Sequence, residues 1–173
     1  MNPRNLLAAA SLTIAAFAGA MPATAIAAAP DAVQVKAAQD LLQSMQAEKL
    51  LRMTAGMSKF PNPAQRELTM AKVEKLTPAM VYTRLSVPVA RLVSTETALE
   101  MMRYYQSSYG QKLLHQTYNG GPRMYAVDPT PTPAEKIELK KPAFVKANTE
   151  FKAVEPAIRH EVFLLLSEIN KGK

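Results

Sequence analysis

Apolar residues recur at spacings of three and four along most of this chain, and no stretch of useful length alternates with a period of two. That periodicity is helical, so the expected fold class is all-α: a compact bundle of about five to seven helices. The clearest stripe is Phe151, Val154, Ile158, Val162, Leu165 and Ile169, which predicts a last helix from about Thr149 to Asn170, interrupted early by Pro156. Phe163, Leu164 and Leu166 are apolar on its other faces, as expected of a helix wrapped by its neighbours or used for pairing.

Start and stop signals divide the rest. Asp31 is placed to cap a first helix running to about Met57, with Val35, Ala38, Leu42, Met45, Met53 and Met57 near one face, although Lys49 falls on that face too. Asn62-Pro63 and Thr77-Pro78 are cap and first-turn pairs that open the second and third helices, and Pro88 should kink or end the third. Ser94 and Thr95 offer caps for a fourth helix through Tyr105, with Ala98, Met102 and Tyr105 on its buried side. "YNGGPR" and "DPTPTP" read as a turn and a stiff connector, and Thr132-Pro133-Ala134-Glu135 combines a capping box with a first-turn proline. The helix it opens should fail near Pro142.

One stretch departs from the pattern. "YYQSSYGQKLL", residues 104–114, places three tyrosines, two serines and a glycine where a helix would carry leucine and alanine. If the helix runs through it, Gly110 costs about 1 kcal/mol against alanine. Close approach of another helix over a residue without Cβ would offset that. The functional reading is a polar row: Tyr104, Ser108 and Lys112 fall at i, i+4 and i+8, with Tyr105, Ser107 and Gly110 beside them, as a binding surface for an anionic or sugar-like ligand.

The segment "TETALEMMRYYQSSYGQKLL" resembles the one that marks the DUF2059 domain, a family of exported bacterial proteins without established activity. Tyr105, Ser107, Gly110, Lys112 and Leu113 stand at the matching places, and the likeness extends from about Val33 to the C-terminus. Relatives often carry Ser-Pro before the glycine; Tyr109 holds that proline slot here, which permits a continuous helix. The resemblance implies a periplasmic location. A fainter echo, "AEKIELKKPAFVKANTEFKAV", aligns Phe144 with Tyr105 and Lys152 with Lys112, as two similar helical units packed face to face would.

The first residues are a different kind of chain. Arg4, the uncharged run from Leu6 to Ala20, and the small residues after Pro22 form the three parts of a secretory leader, with cleavage after Ala25 or Ala27. The expected organisation is therefore a cleaved signal peptide over 1–27 and a single helical domain over 31–173. No second segment approaches the roughly 20 apolar residues of a membrane span. The absence of cysteine excludes lipid attachment at cysteine, disulfides and thiolate metal sites, so stability must come from a packed core. The net charge is +7, and the basic residues are dispersed. They read as a solvated surface, or as attraction to anionic lipid or acidic polysaccharide; without a basic-aromatic cluster, no nucleic-acid partner is expected.

Few catalytic patterns are present. His115 and His160 have no ligand spacing, Ser107-Ser108 has no adjacent base, and Gly120-Gly121 lacks the setting of a phosphate loop. Glu96 with Glu100, and Glu135 with Glu138, have the spacing of solvated helix faces. The ten methionines suit an adaptable core, Met53, Met57, Met101 and Met102 among them, and form no clustered copper(I) motif. No cofactor or metal site is expected. The expected role is a non-catalytic protein-interaction module pairing with itself or another envelope protein. The alternatives are a carrier or sensor of an anionic amphipathic envelope ligand and, more distantly, a carboxylate-based hydrolase.

Overall fold

In a computed structural model of the chain, residues 29–120 and 128–172 are described, and they form eight helices and no strand. The expected leader and half of the glycine turn, residues 121–123, lie outside them. The helices are α1 (Ala32–Ser44), α2 (Ala47–Met57), α3 (Pro63–Glu74), α4 (Pro78–Ala90), α5 (Thr95–Gln106), α6 (Ser108–Asn119), α7 (Pro133–Glu138) and α8 (Pro142–Asn170).

Six of the eight begin where a side chain takes up an orphan backbone N–H: Asp31, Asn62, Thr77, Ser94, Ser107 and Thr132. Asp31 and Thr132 complete capping boxes with Gln34 and Glu135. Pro142 does two jobs. It follows the end of α7, as expected, and it also stands at the first turn of α8, so the last helix starts seven residues before the Thr149 expected from its stripe. Pro88 lies in the last turn of α4, which ends two residues later.

The first expected helix is in fact two. Gln46 adopts a left-handed backbone, φ 57°, and separates α1 from α2. A straight helix would have carried Lys49 into the core; the break turns α2 so that Ala47, Leu50, Leu51 and Ala55 are buried instead. Met57, expected on the core face, is consequently 70% exposed. In α5 the buried methionine is Met101, and Met102 is only half-buried.

α1 lies against α4 and α5, and α8 crosses α5, α2, α4 and α3. The core between them holds Leu41, Leu42, Leu51, Leu85, Met101, Phe151 and Ile158. Of the α8 stripe, only Val154 is not fully buried; of the other apolar residues, Leu166 is buried while Phe163 and Leu164 are exposed. The C-terminal end of α8 is held by α3, where the Lys72 ammonium donates to the Asn170 carbonyl at 2.9 Å, a cation placed on the negative end of a helix. No helix among the described residues is long and apolar enough to cross a membrane.

Candidate functional site: an aromatic cleft beside the joint

The chain breaks within the unusual segment, at Ser107, which caps α5 at its C-terminus and α6 at its N-terminus. Its hydroxyl donates to the Tyr104 carbonyl at 2.6 Å and accepts from the Gly110 N–H at 3.1 Å. The continuous helix that Tyr109 would have permitted does not form, because a serine cap takes the place of the proline signal. The resulting corner is tight. A Cβ added to Gly110 would lie 2.0 Å from the Tyr104 carbonyl oxygen and 2.7 Å from the Tyr105 Cα. The close approach expected over Gly110 is therefore made by the last turn of the preceding helix. The echo over α7 and α8 has no matching corner, since residues 142–170 are one unbroken helix.

The polar row separates at this corner. Tyr104 turns into an aromatic group, its ring centroid 4.9 Å from Phe144, 5.1 Å from Tyr105 and 6.2 Å from Tyr109. Ser108 and Lys112 face the other way and are both taken by Glu135 of α7: the Ser108 hydroxyl donates at 2.6 Å and the Lys112 ammonium at 2.8 and 3.0 Å. Those bonds, with the Thr132 N–H at 2.8 Å, hold the Glu135 carboxyl at a pKa of about 2. α7 buries no residue of its own, so this carboxylate is its main fastening to the bundle. The other carboxylates singled out in the sequence are paired as well: Glu96 with Lys146, Glu100 with Arg103, and Glu138 with Lys141.

Two hollows flank the corner and share Tyr104, Tyr109, Leu139 and Phe144 as a common wall. The groove beneath α7, about 530 Å³, is lined by Ser108, Glu135, Arg103 and Lys141, groups already satisfied by one another or by neighbouring carboxylates. The second hollow, about 520 Å³, is a cleft between α6 and α8. Its α6 wall presents Tyr109, Leu113, Leu114, Thr117 and Tyr118; its α8 wall presents Phe144, Asn148, Phe151, Lys152, Glu155, Ile158 and Arg159. Met45, Met53, Met101, Tyr104 and Tyr105 form the floor, and Asp128 stands at the edge. Six of the chain's aromatic residues, from a total of six tyrosines and five phenylalanines, line this one space.

The cleft keeps polar capacity in reserve. No buried polar side-chain atom among the described residues lacks a partner, yet the hydroxyls of Tyr104, Tyr105 and Tyr109 make no hydrogen bond there and so reach open space. Burial raises the pKa of all three above the ordinary phenol value, so they are neutral donors at physiological pH. Tyr118 is different: it donates to the Met45 carbonyl at 2.9 Å, which the break at Gln46 frees from helical bonding, and Lys49 stands 5.8 Å from its ring centroid. Arg159 pairs with Glu155 at 2.7 Å, whereas Lys152 and Asp128 have no ion-pair partner among the described residues.

Of the residues read as a binding surface, the fold brings Tyr104 and Tyr105 to the cleft. Ser107 and Gly110 go to the corner, and Ser108 and Lys112 to the α7 fastening. Tyr118, Phe151, Glu155, Arg159 and Asp128 were missed. A signal for the α8 members exists, since Phe144, Asn148, Glu155 and Arg159 repeat at helical spacing along the flank of the core stripe, with Phe151 shared by both. His115 and His160 are both exposed, on α6 and α8. No known protein family, curated protein or solved structure matches this chain.

Proposed function

We propose that this protein is a non-catalytic binding protein that carries or senses a small amphipathic molecule in the cleft between α6 and α8. The observation that supports this best is the combination in one space of six aromatic side chains with tyrosine hydroxyls that no protein group among the described residues uses. Small-molecule sites have this character: a concave, mostly apolar hollow of some 300–1,000 Å³ with a few placed polar groups. Export through the N-terminal leader, residence in the periplasm and kinship with DUF2059 belong to the same proposal. They rest on the leader pattern and on the "YYQSSYGQKLL" resemblance.

The test is binding of the apolar fluorophore 1-N-phenylnaphthylamine to the full chain and to Asn148→Trp, which places an indole in the cleft. Wild-type protein should bind and brighten the fluorophore; Asn148→Trp should keep its helical circular dichroism and lose the signal. Failure of wild-type protein to bind, or equal binding by the variant, overturns the reading.

A second reading has its own observation. Phe163 and Leu164, adjacent on α8, are 51% and 41% exposed on the side away from its buried stripe. This supports a protein-interaction role, for which Phe163→Ser with Leu164→Ser should change the oligomeric state measured by light scattering.

A further inference from the structure

The cleft's unused charges say more about its ligand than its apolar lining does. Four formal charges line it, and two of them, Glu155 and Arg159, neutralise each other. That leaves one anion, Asp128, and one cation, Lys152, neither engaged by a protein group among the described residues. They stand apart along the cleft. Asp128 lines the same space as Tyr104 and Tyr109, and its charge bears on both hydroxyls; Tyr104 packs on Phe144, near the start of α8. Lys152 follows Phe144 by eight residues on the same unbroken helix, about 12 Å farther along at 1.5 Å per residue.

The same space carries the apolar and aromatic surface of Tyr105, Phe151 and Leu114. Near Asp128, the rings of Tyr104 and Tyr109 add a favourable surface for a cation, through the negative faces of their π systems. The Asn148 amide and the tyrosine hydroxyls offer hydrogen bonds along the way. The cleft thus holds a negative group near the start of α8 and a positive one about midway along its α8 wall, with apolar surface between them.

We propose that the ligand is a zwitterion of matching length: a short apolar peptide with free ends, its ammonium at Asp128 and its carboxylate at Lys152. This rests on the cleft being a binding site. The length follows from the chain's own geometry, since an extended peptide covers about 3.3–3.6 Å per residue, so three or four residues bring its ends to the two charges. A zwitterionic lipid headgroup does not fit, because its charges are only a few bonds apart. A simple anionic amphiphile leaves Asp128 facing apolar ligand surface.

Four forms of one tetrapeptide of alanine and phenylalanine separate these possibilities by calorimetry on the full chain: free, N-acetylated, C-amidated and doubly blocked. The free peptide should bind most tightly. Acetylation and Asp128→Asn should each weaken it about fivefold, the scale of a partly exposed charge pair, as should amidation and Lys152→Gln. Blocking an end whose protein partner is already neutralised should have no further effect. Both variants change exposed side chains outside the core, and melting temperatures equal to wild type will show intact folding.

Equal affinity for free and doubly blocked peptide overturns the inference. So does tighter binding of the acetylated peptide, which would assign the cleft to anions. If no peptide binds while 1-N-phenylnaphthylamine does, the zwitterion is wrong and the cleft reading survives. If neither binds, both fall.

Discussion

Replacing Gly110 with alanine adds one methyl group, and the fold around it makes that methyl unusually hard to place. The new Cβ would lie 2.0 Å from the Tyr104 carbonyl oxygen, and it must move beyond 3.0 Å to reach a tolerable contact. Both nearest atoms are backbone, so no rotamer change relieves the clash. α6 must instead shift by about 1 Å against α5, which loosens the cover over the buried Tyr109 and Leu114. Overpacking of this kind costs about 3 kcal/mol at the upper end of its usual range. Alanine's better helix propensity returns about 1 kcal/mol. The net expectation is a loss of about 2 kcal/mol, or roughly 8 °C in Tm for a domain of this size. Gly56 provides the control: it is exposed in α2, with nothing within 4 Å of an added Cβ. There the same substitution should stabilise by about 0.5–1 kcal/mol. Urea unfolding followed by circular dichroism at 222 nm reads both. A neutral or stabilising Gly110→Ala would refute the account of the corner, and the opposite signs at the two glycines are its signature.

Other consequences are equally direct. Gln46→Gly should stabilise by about 1 kcal/mol in urea unfolding, because glycine removes the left-handed strain at φ 57°. Tyr118→Phe should destabilise by about 1–2 kcal/mol by the same assay, since the Met45 carbonyl loses its phenol donor. The Glu135 carboxyl, at about 2 in the fold, lies below the ordinary value of 4.5. Its fastening of α7 is therefore fully present above pH 4.5 and is lost as the pH falls toward 2. Amide hydrogen exchange, after correction for its intrinsic pH dependence, should show residues 134–139 losing protection over that window, and Glu135→Gln should show reduced protection at pH 7.

The local signals in this sequence were the dependable ones. Capping at Asp31, Asn62, Thr77, Ser94 and Thr132 depends on side chains within three residues of the helix start, and all five caps stand where expected. The Gln46 break is another matter. No glycine or proline marks it, and its cause is tertiary: α2 rotates to bury Leu50 and Leu51, which no local rule reports. Lys49 on the apolar stripe was its one trace. The binding surface was half legible for the same reason. The aromatic pair Tyr104 and Tyr105 announced itself, but Ser108 and Lys112 are claimed by a carboxylate 27 and 23 residues away. Asp128 and Lys152 reach one space only through the path of the chain.

The double use of Ser107 bears on the order in which this fold assembles. One hydroxyl serves two helix ends, donating to the last turn of α5 and accepting from the first turn of α6, so the corner is a local unit spanning residues 104–110. That locality favours forming the corner as one unit. The contacts that reward this are close in sequence, so little loop-closure entropy opposes it. The corner is thus suited to be an early folding nucleus, on which α8, beginning 35 residues after Ser107, lays Phe144 and Phe151.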